Sequence, residues 1–225
     1  LHRVDRRQRQ MCIRDSGWAG KHTVIINRQA GSYFFLAELF TDLPLPVDEP
    51  VSSHCGTCSA CIDICPTQAI IAPYVLDAGK CISYLTIEYR GVIAEPLRRA
   101  IGNRIFGCDD CQLVCPWNRY AQASQEPAFT PRHDFDGPPL LDLWAWDEIT
   151  WLSKTEGMPL RRMSYASWLR NLSMALGNAP ASADIVQALA MRRDELSASG
   201  MLNDVLTEHI DWAINEQTLK LHAAQ

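Results

Sequence analysis

The sequence predicts an α+β fold: a cysteine-dense region of short elements, followed by an all-helical C-terminal part. Three observations predict it. Eight of the nine cysteines fall between Cys55 and Cys115. Thr23-Val24-Ile25-Ile26 is a β-branched run on the N-terminal side. From Leu141 onward apolar residues recur at helical spacing.

Composition narrows the class. The chain has 225 residues, a mass of 25.3 kDa and 47% hydrophobic residues, ordinary for a globular protein. A net charge of −5 and a pI near 5.7 do not favour nucleic acid as a partner of the whole surface, although they leave room for a local basic face. No apolar run approaches the roughly 18 residues of a membrane span. Leu1 to Ser16 has no apolar h-region and no small-residue cleavage site, so it does not read as a signal peptide. With no export signal, a cytoplasmic monomer is expected, and nine cysteines point to metal rather than disulfides.

Residues 1–16, LHRVDRRQRQMCIRDS, are basic and lack apolar periodicity. They read as a disordered arm, and they resemble the translated adapter-derived tails of some assembled metagenomic sequences. On that reading the fold begins near Gly17, the ninth cysteine, Cys12, lies outside it, and the natural N-terminal part is missing.

The remaining segments follow in order. In 17–50, the run Thr23–Ile26 precedes Gly31-Ser32 and the apolar stretch Tyr33–Phe40, which suits either a strand or a buried helix. Asp42–Pro50 is proline-rich and acidic, as a surface linker is. Residues 51–120 carry the cysteines, and 121–140, rich in Pro, Asp and Gly, read as a long ordered loop. In 141–225, Leu143, Trp144, Trp146 and Ile149 give a first amphipathic segment, with Trp151 and Leu152 after it. Ser164 can cap a helix running to Gly177, with Trp168, Leu169, Leu172, Ala175 and Leu176 on one side. Ser182 can start another through Arg193, and Leu202–Leu219 gives the last. Paired helices of this length suggest a HEAT-like region.

The cysteine spacing is specific. Cys55-x2-Cys58-x2-Cys61-x3-Cys65-Pro66 is the bacterial-ferredoxin run. A tight loop wraps one four-iron cubane with three thiolates, while the fourth cysteine opens a helix and points away. Proline after it suits a first-turn position that needs no N–H. Gly56 lets backbone N–H groups approach the sulfides. The second motif, Cys108-x2-Cys111-x3-Cys115-Pro116, lacks its leading cysteine; Ile105 stands there, and Cys81 is the spare. Because each fourth cysteine crosses to the other cluster, one cluster takes Cys55, Cys58, Cys61 and Cys115. The other takes Cys65, Cys81, Cys108 and Cys111. A pair of zinc sites would favour two separated C-x2-C knuckles without proline after a fourth cysteine. Two 4Fe–4S clusters make an electron wire, which implies something to reduce.

Longer strings name a candidate. GWAGKHTVIINRQAGSYFFLAELFTDLPLP, CISYLTIEYRG and GNRIFGCDDCQLVCPWNRY, taken with the first motif, resemble the epoxyqueuosine reductase family over about residues 17–180. The resemblance implies a cobalamin-dependent enzyme with two 4Fe–4S clusters, fed by an external low-potential donor. Such an enzyme reduces epoxyqueuosine to queuosine at the wobble position of tRNA, in the anticodon stem-loop. It makes residues 17–50 a remnant of a cobalamin-binding α/β domain, and 51–120 a two-cluster ferredoxin-like domain. The resemblance places the family's proton-donating aspartate upstream of GWAGK, where Asp5 and Asp15 match no motif; the catalytic residue is thus expected to be absent and the chain inactive alone. It also places Ile25, Leu36 and Ser83 in segments beside the corrin. Each has a plainer reading: core for the two apolar residues, a backbone-capping hydroxyl for Ser83. Lys21 and His22 suit cofactor or tRNA phosphate as well as they suit surface and structural roles.

For tRNA, Arg98, Arg99, Arg104 and Arg119 flank the second motif beside Trp117 and Tyr120, and Arg161, Arg162 and Arg170 interleave with Tyr165 and Trp168. Arginine with aromatics suits phosphate contact and stacking; Trp168 also suits a helix core. Two other classes stay open: a ferredoxin-like electron carrier without a catalytic site, and a reductive dehalogenase-like corrinoid enzyme.

Overall fold

The computed structural model describes residues 16–223 except 38, 45, 47, 50 and 134. Cys12, Asp5 and Asp15, with the rest of 1–15, lie outside the described residues. In chain order the elements are β1 (Trp18–Ala19), β2 (Ile25–Ile26), α1 (Ala60–Asp63), β3 (Ile70–Ala72), β4 (Val75–Leu76), α2 (Ile82–Ile87), α3 (Glu95–Ile101), α4 (Asp110–Leu113), α5 (Leu140–Trp144), α6 (Glu148–Lys154), α7 (Tyr165–Asn178), α8 (Ala183–Ala198) and α9 (Asp204–Ala223). The fold is thus helix-rich with few strands. Contacts divide it into two units, Leu1–Asp77 with Asp109–Gln125, and Ala78–Cys108 with Glu126–Gln225.

The first unit is built on short elements. β1 and β2 form an antiparallel ribbon, Trp18 opposite Ile26 and Ala19 opposite Ile25. The strand is shorter than the run Thr23–Ile26, because Thr23 sits in the turn at φ 69°. Tyr33–Phe40 is neither strand nor buried helix: its described residues have no regular structure, and Phe35, Leu39 and Phe40 stand exposed. β3 and β4 make a second hairpin. Helices α1 and α4 pack together and repeat one another's local geometry. Ser59 and Asp109 precede them at φ/ψ −120/4° and −112/10°, and each accepts at its carbonyl from the third residue onward, Ile62 and Gln112, at 2.8 Å. The two cysteine motifs therefore fold as a duplicated turn. They diverge after the prolines. Pro116 opens a 3-10 helix through Tyr120, as expected, whereas Cys65-Pro66 leads into a turn and β3 rather than a helix.

In the second unit the expected helices form, with one break. The first amphipathic segment splits into α5 and α6, because the Asp147 carboxylate accepts from Thr150 N at 2.8 Å and starts a new helix; Ile149 is left exposed. Ser164 caps α7, accepting from Ser167 N at 3.2 Å. α7 is buried on nearly every side instead of one. Its apolar residues Trp168, Leu169, Leu172 and Leu176 join Ile93, Ile101, Leu143, Ile185, Leu206 and Ile210 in the core. Its polar residues face main chain: Asn171 Nδ2 donates to Thr86 O and Ile105 O, both at 2.8 Å. At Gly177 a Cβ would meet the Trp212 ring at 2.7 Å and Ala213 Cα at 3.0 Å, so only glycine lets α9 approach.

Candidate metal centre

The first motif enters through a loop that needs one left-handed residue. Gly56 supplies it, at φ 53°, between Cys55 and Cys58. The turn into α1 then presents Cys61, and the 3-10 helix after α4 is preceded by Cys115. These four thiols border one cavity of about 240 Å³, together with Lys21, His22, Ile26, His54 and Trp117. Among the described residues no three His, Cys, Asp or Glu side chains close on one point, as the ligands of a single metal ion do; the thiols ring a space instead. Burial raises the pKa of Cys61 and Cys115, and the other thiols of the group add to the rise in both. Neutral protein thus holds these sulfurs as thiols, and a cation must displace their protons to bind.

The surrounding side chains hold the loop. Lys21 Nζ donates to Gly56 O and Cys58 O, both at 2.8 Å, so two of its three N–H donors are committed to the ligand loop. His54 bonds Arg28, and its ring meets Trp18 edge-on at 5.1 Å; Trp18 meets Trp117 likewise at 4.9 Å. Asn118 ties residues 31–32 to the second motif: Ser32 N donates to its Oδ1 at 2.6 Å, and its Nδ2 donates to Gln112 O at 2.6 Å. Asn118 and Gln112 carried no signal in the sequence, since an amide inside a cysteine motif marks no chemistry of its own. His22 is 3% exposed; Nδ1 accepts from Val24 N at 3.1 Å, and Nε2 is buried with no protein partner. Burial lowers the His22 pKa, so the ring is neutral.

The other predicted residues lie as follows. Cys65 Sγ accepts from Ala69 N at 3.2 Å in the first unit, where α4 carries Cys111. In the second unit Cys81 is the residue before α2, Ser83 lies half-buried in its first turn, and Thr86 Oγ1 on the same helix accepts from Gly107 N, next to Cys108, at 3.0 Å. Ile105, at the place of the absent cysteine, packs against the core. Ile25 is half-buried on β2, and Leu36 is 57% exposed, so it is not core.

Two of the arginines proposed for phosphate, Arg98 and Arg170, are buried and structural, while Arg99 and Arg162 remain largely exposed. Arg170, 1% exposed, donates to Leu85 O at 2.7 Å, Tyr89 O at 2.8 Å and Gly91 O at 3.0 Å. Arg98, 2% exposed, bonds Ile93 O and Glu208. Arg99 forms a two-pronged pair with Glu216, and Arg162 pairs with Glu88. Arg104 donates to Ile101 O and Arg161 to Leu152 O. Arg119 lies over the Tyr120 ring at 4.6 Å. Tyr165 and Trp168 are core.

The chain is similar to known proteins. A family described as a 4Fe–4S double cluster binding domain matches residues 54–118. Epoxyqueuosine reductases of Xanthomonas campestris and Pseudomonas aeruginosa are 56% and 55% identical to the chain over 90% and 88% of its length. The solved epoxyqueuosine reductase of Bacillus subtilis superposes with a TM-score of 0.76 at 30% identity, covering 92% of this chain and 55% of that one. An epoxyqueuosine reductase solved with an epoxyqueuosine-modified tRNA-Tyr stem loop gives 0.70 at 26%, covering 90% and 60%. The chain spans about half the length of the curated relatives it matches, 56% and 54% for the first two. With the thiol-ringed cavity and the duplicated cysteine turn in place, about nine-tenths of the chain is similar to roughly half the length of these epoxyqueuosine reductases.

Proposed function

We propose that the chain is the iron–sulfur part of an oxidoreductase that reduces epoxyqueuosine to queuosine in the anticodon stem-loop of tRNA, with cobalamin charged by two 4Fe–4S clusters. The observation that carries this reading is the convergence of Cys55, Cys58, Cys61 and Cys115 on one cavity. These four hold the first cluster; Cys65, Cys81, Cys108 and Cys111 hold the second. The donor set fits iron–sulfur chemistry: thiols around a space, a buried histidine with an unpartnered Nε2 among its lining residues, and apolar Ile26, Ala60 and Pro116 beside them. When bound, the clusters store and pass single electrons. The protein's own contribution is to gather the four cysteines around one space and to brace their loop through Lys21.

Removing an epoxide oxygen takes two electrons and protonation of the leaving oxygen. No residue of this chain is assigned that proton, and Ile25, Leu36 and Ser83 supply only part of a corrin contact. On this reading the proton-donating aspartate and the rest of the pocket belong to the half of the family's length that the chain does not match. Residues 17–50 are a remnant of the cobalamin domain, and the helical unit is HEAT-like. The enzyme works in the cytoplasm, with an external low-potential donor.

The test joins residues 17–225 to the N-terminal half of a full-length relative, reconstitutes iron and cobalamin anaerobically, and analyses the nucleosides of epoxyqueuosine-tRNA after incubation. Queuosine is expected from the joined protein and none from the chain alone. A joined protein with full clusters and no turnover would contradict the reading.

A further inference from the structure

We propose that His22, through its buried Nε2–H, donates a hydrogen bond to a sulfur of the cluster held by Cys55, Cys58, Cys61 and Cys115, and so raises that cluster's reduction potential. The inference rests on the iron–sulfur reading above and adds a residue outside the cysteine motifs. His22 lies in the tight turn between β1 and β2, where Gly20 and Val24 close the turn by a 2.8 Å main-chain bond. The turn fixes the ring. Val24 N donates to Nδ1 at 3.1 Å, which makes Nδ1 the acceptor and leaves the ring's single hydrogen on Nε2. The ring occupies the space beside Gly20: a Cβ there would stand 2.8 Å from His22 Cε1, so a side chain at residue 20 would displace it.

A donor held this way, 3% exposed and with no protein acceptor, is costly unless something in the cavity accepts from it. The ring borders the same cavity as the four thiols, and the nearby Ile26, Ala60 and Pro116 side chains offer no acceptor. Cluster sulfurs are negatively charged acceptors. A hydrogen bond to one stabilises the electron-richer, reduced state, which moves the potential upward. Lys21, the adjacent residue, spends its ammonium on the Gly56 and Cys58 carbonyls. One turn thus braces the ligand loop with one side chain and places at the cavity wall, with the next, a ring whose Nε2–H has no protein acceptor.

The test uses the full chain, reconstituted anaerobically, with iron and sulfide analysis and a redox titration followed by EPR. Wild-type protein must first take up two clusters; failure there overturns the iron–sulfur reading itself. Given two clusters, His22→Leu is expected to shift one midpoint potential to a more negative value and leave the other unchanged. His22→Gln, which keeps an N–H near the Nε2 position, is expected to recover most of the shift. Unchanged potentials in a fully loaded His22→Leu protein overturn the proposal, because a merely packing role would leave them where they were. Should His22→Leu fail to hold the cluster, pulsed EPR of reduced protein labelled with 15N-histidine decides. A nitrogen coupling present in the wild type and lost in His22→Gln supports the bond, and identical spectra overturn it.

Discussion

Lys21 Nζ stands 2.8 Å from the carbonyl oxygen of Cys58, and at the same distance from that of Gly56. A side chain from the ribbon turn thereby holds both ends of the bend that sets the spacing of Cys55 and Cys58. Hydrogen bonds from a charged donor contribute about 1.5–3 kcal/mol. Lys21→Met is therefore expected to speed loss of iron to a chelator about tenfold or more from one cluster. Equal release rates in variant and wild type would contradict it.

Gly31 is fixed by contact as well as by conformation. It sits at φ 69°, and a Cβ there would lie 2.2 Å from Asn118 Oδ1. Gly31→Ala should push Asn118 off Ser32 and the second motif, lowering stability by about 1–3 kcal/mol. Thermal unfolding checks this. Asn118→Ala should cost a similar amount, and the double variant much less than the sum, since both break one junction.

Arg170 is a buried polar tie in the helical unit. Burial lowers its pKa to about 10, with Arg90 adding to the fall, so it stays charged at neutral pH. Arg170→Met leaves the carbonyls of Leu85, Tyr89 and Gly91 without this donor, and a loss of several kcal/mol, or failure to fold, is expected. Arg170→Lys should rescue little, because an ammonium lacks the planar fork that reaches all three. Near-complete rescue in denaturant titrations would show that charge, not geometry, is what matters here.

His209 gives the helical unit a pH dependence. It is fully buried, Nε2 accepts from Ile93 N at 3.2 Å, and its pKa is lowered to about 4, by burial first and by Arg98 and Arg170 in addition. The depressed folded value means its contribution is complete above the unfolded value of about 6.5, and is lost as pH falls toward 4. Stability should drop by up to about 3 kcal/mol across that window. His209→Gln should flatten the part of the profile between pH 6.5 and 4; an unchanged slope would assign the loss to carboxylates.

The ligand assignment is checked at Cys81. Cys81→Ala is expected to remove the second cluster and spare the first, so that iron falls by about half. An unchanged cluster signal would mean that another group completes that site.

Part of the candidate site was legible because cysteine spacing is itself geometry: the two motifs fold as duplicate turns, and Cys55, Cys58, Cys61 and Cys115 line one cavity. Helix α7 was legible too, down to its Ser164 cap. Other features were hidden for physical reasons. An arginine in a sequence does not announce burial, and Arg98 and Arg170 read as phosphate contacts until their carbonyl partners, some 80 residues away for Arg170, were seen. Tyr33–Phe40 looks like core by hydropathy, yet its partners are not set by local pattern. The break at Asp147 turns on one capping bond, which competes with an apolar periodicity that runs straight through it.

The brace that Arg170 and Asn171 give to residues 85–105 has a consequence for the order of synthesis. Arg170 meets Leu85 across 85 residues of chain. On a ribosome, the segment carrying Cys81 and Cys108 must therefore wait, unsupported, until α7 has emerged, whereas Cys55, Cys58 and Cys61 need only the stretch through Cys115. Nascent chains arrested near residue 150 should leave Cys81 open to alkylation, and chains arrested well beyond α7 should protect it.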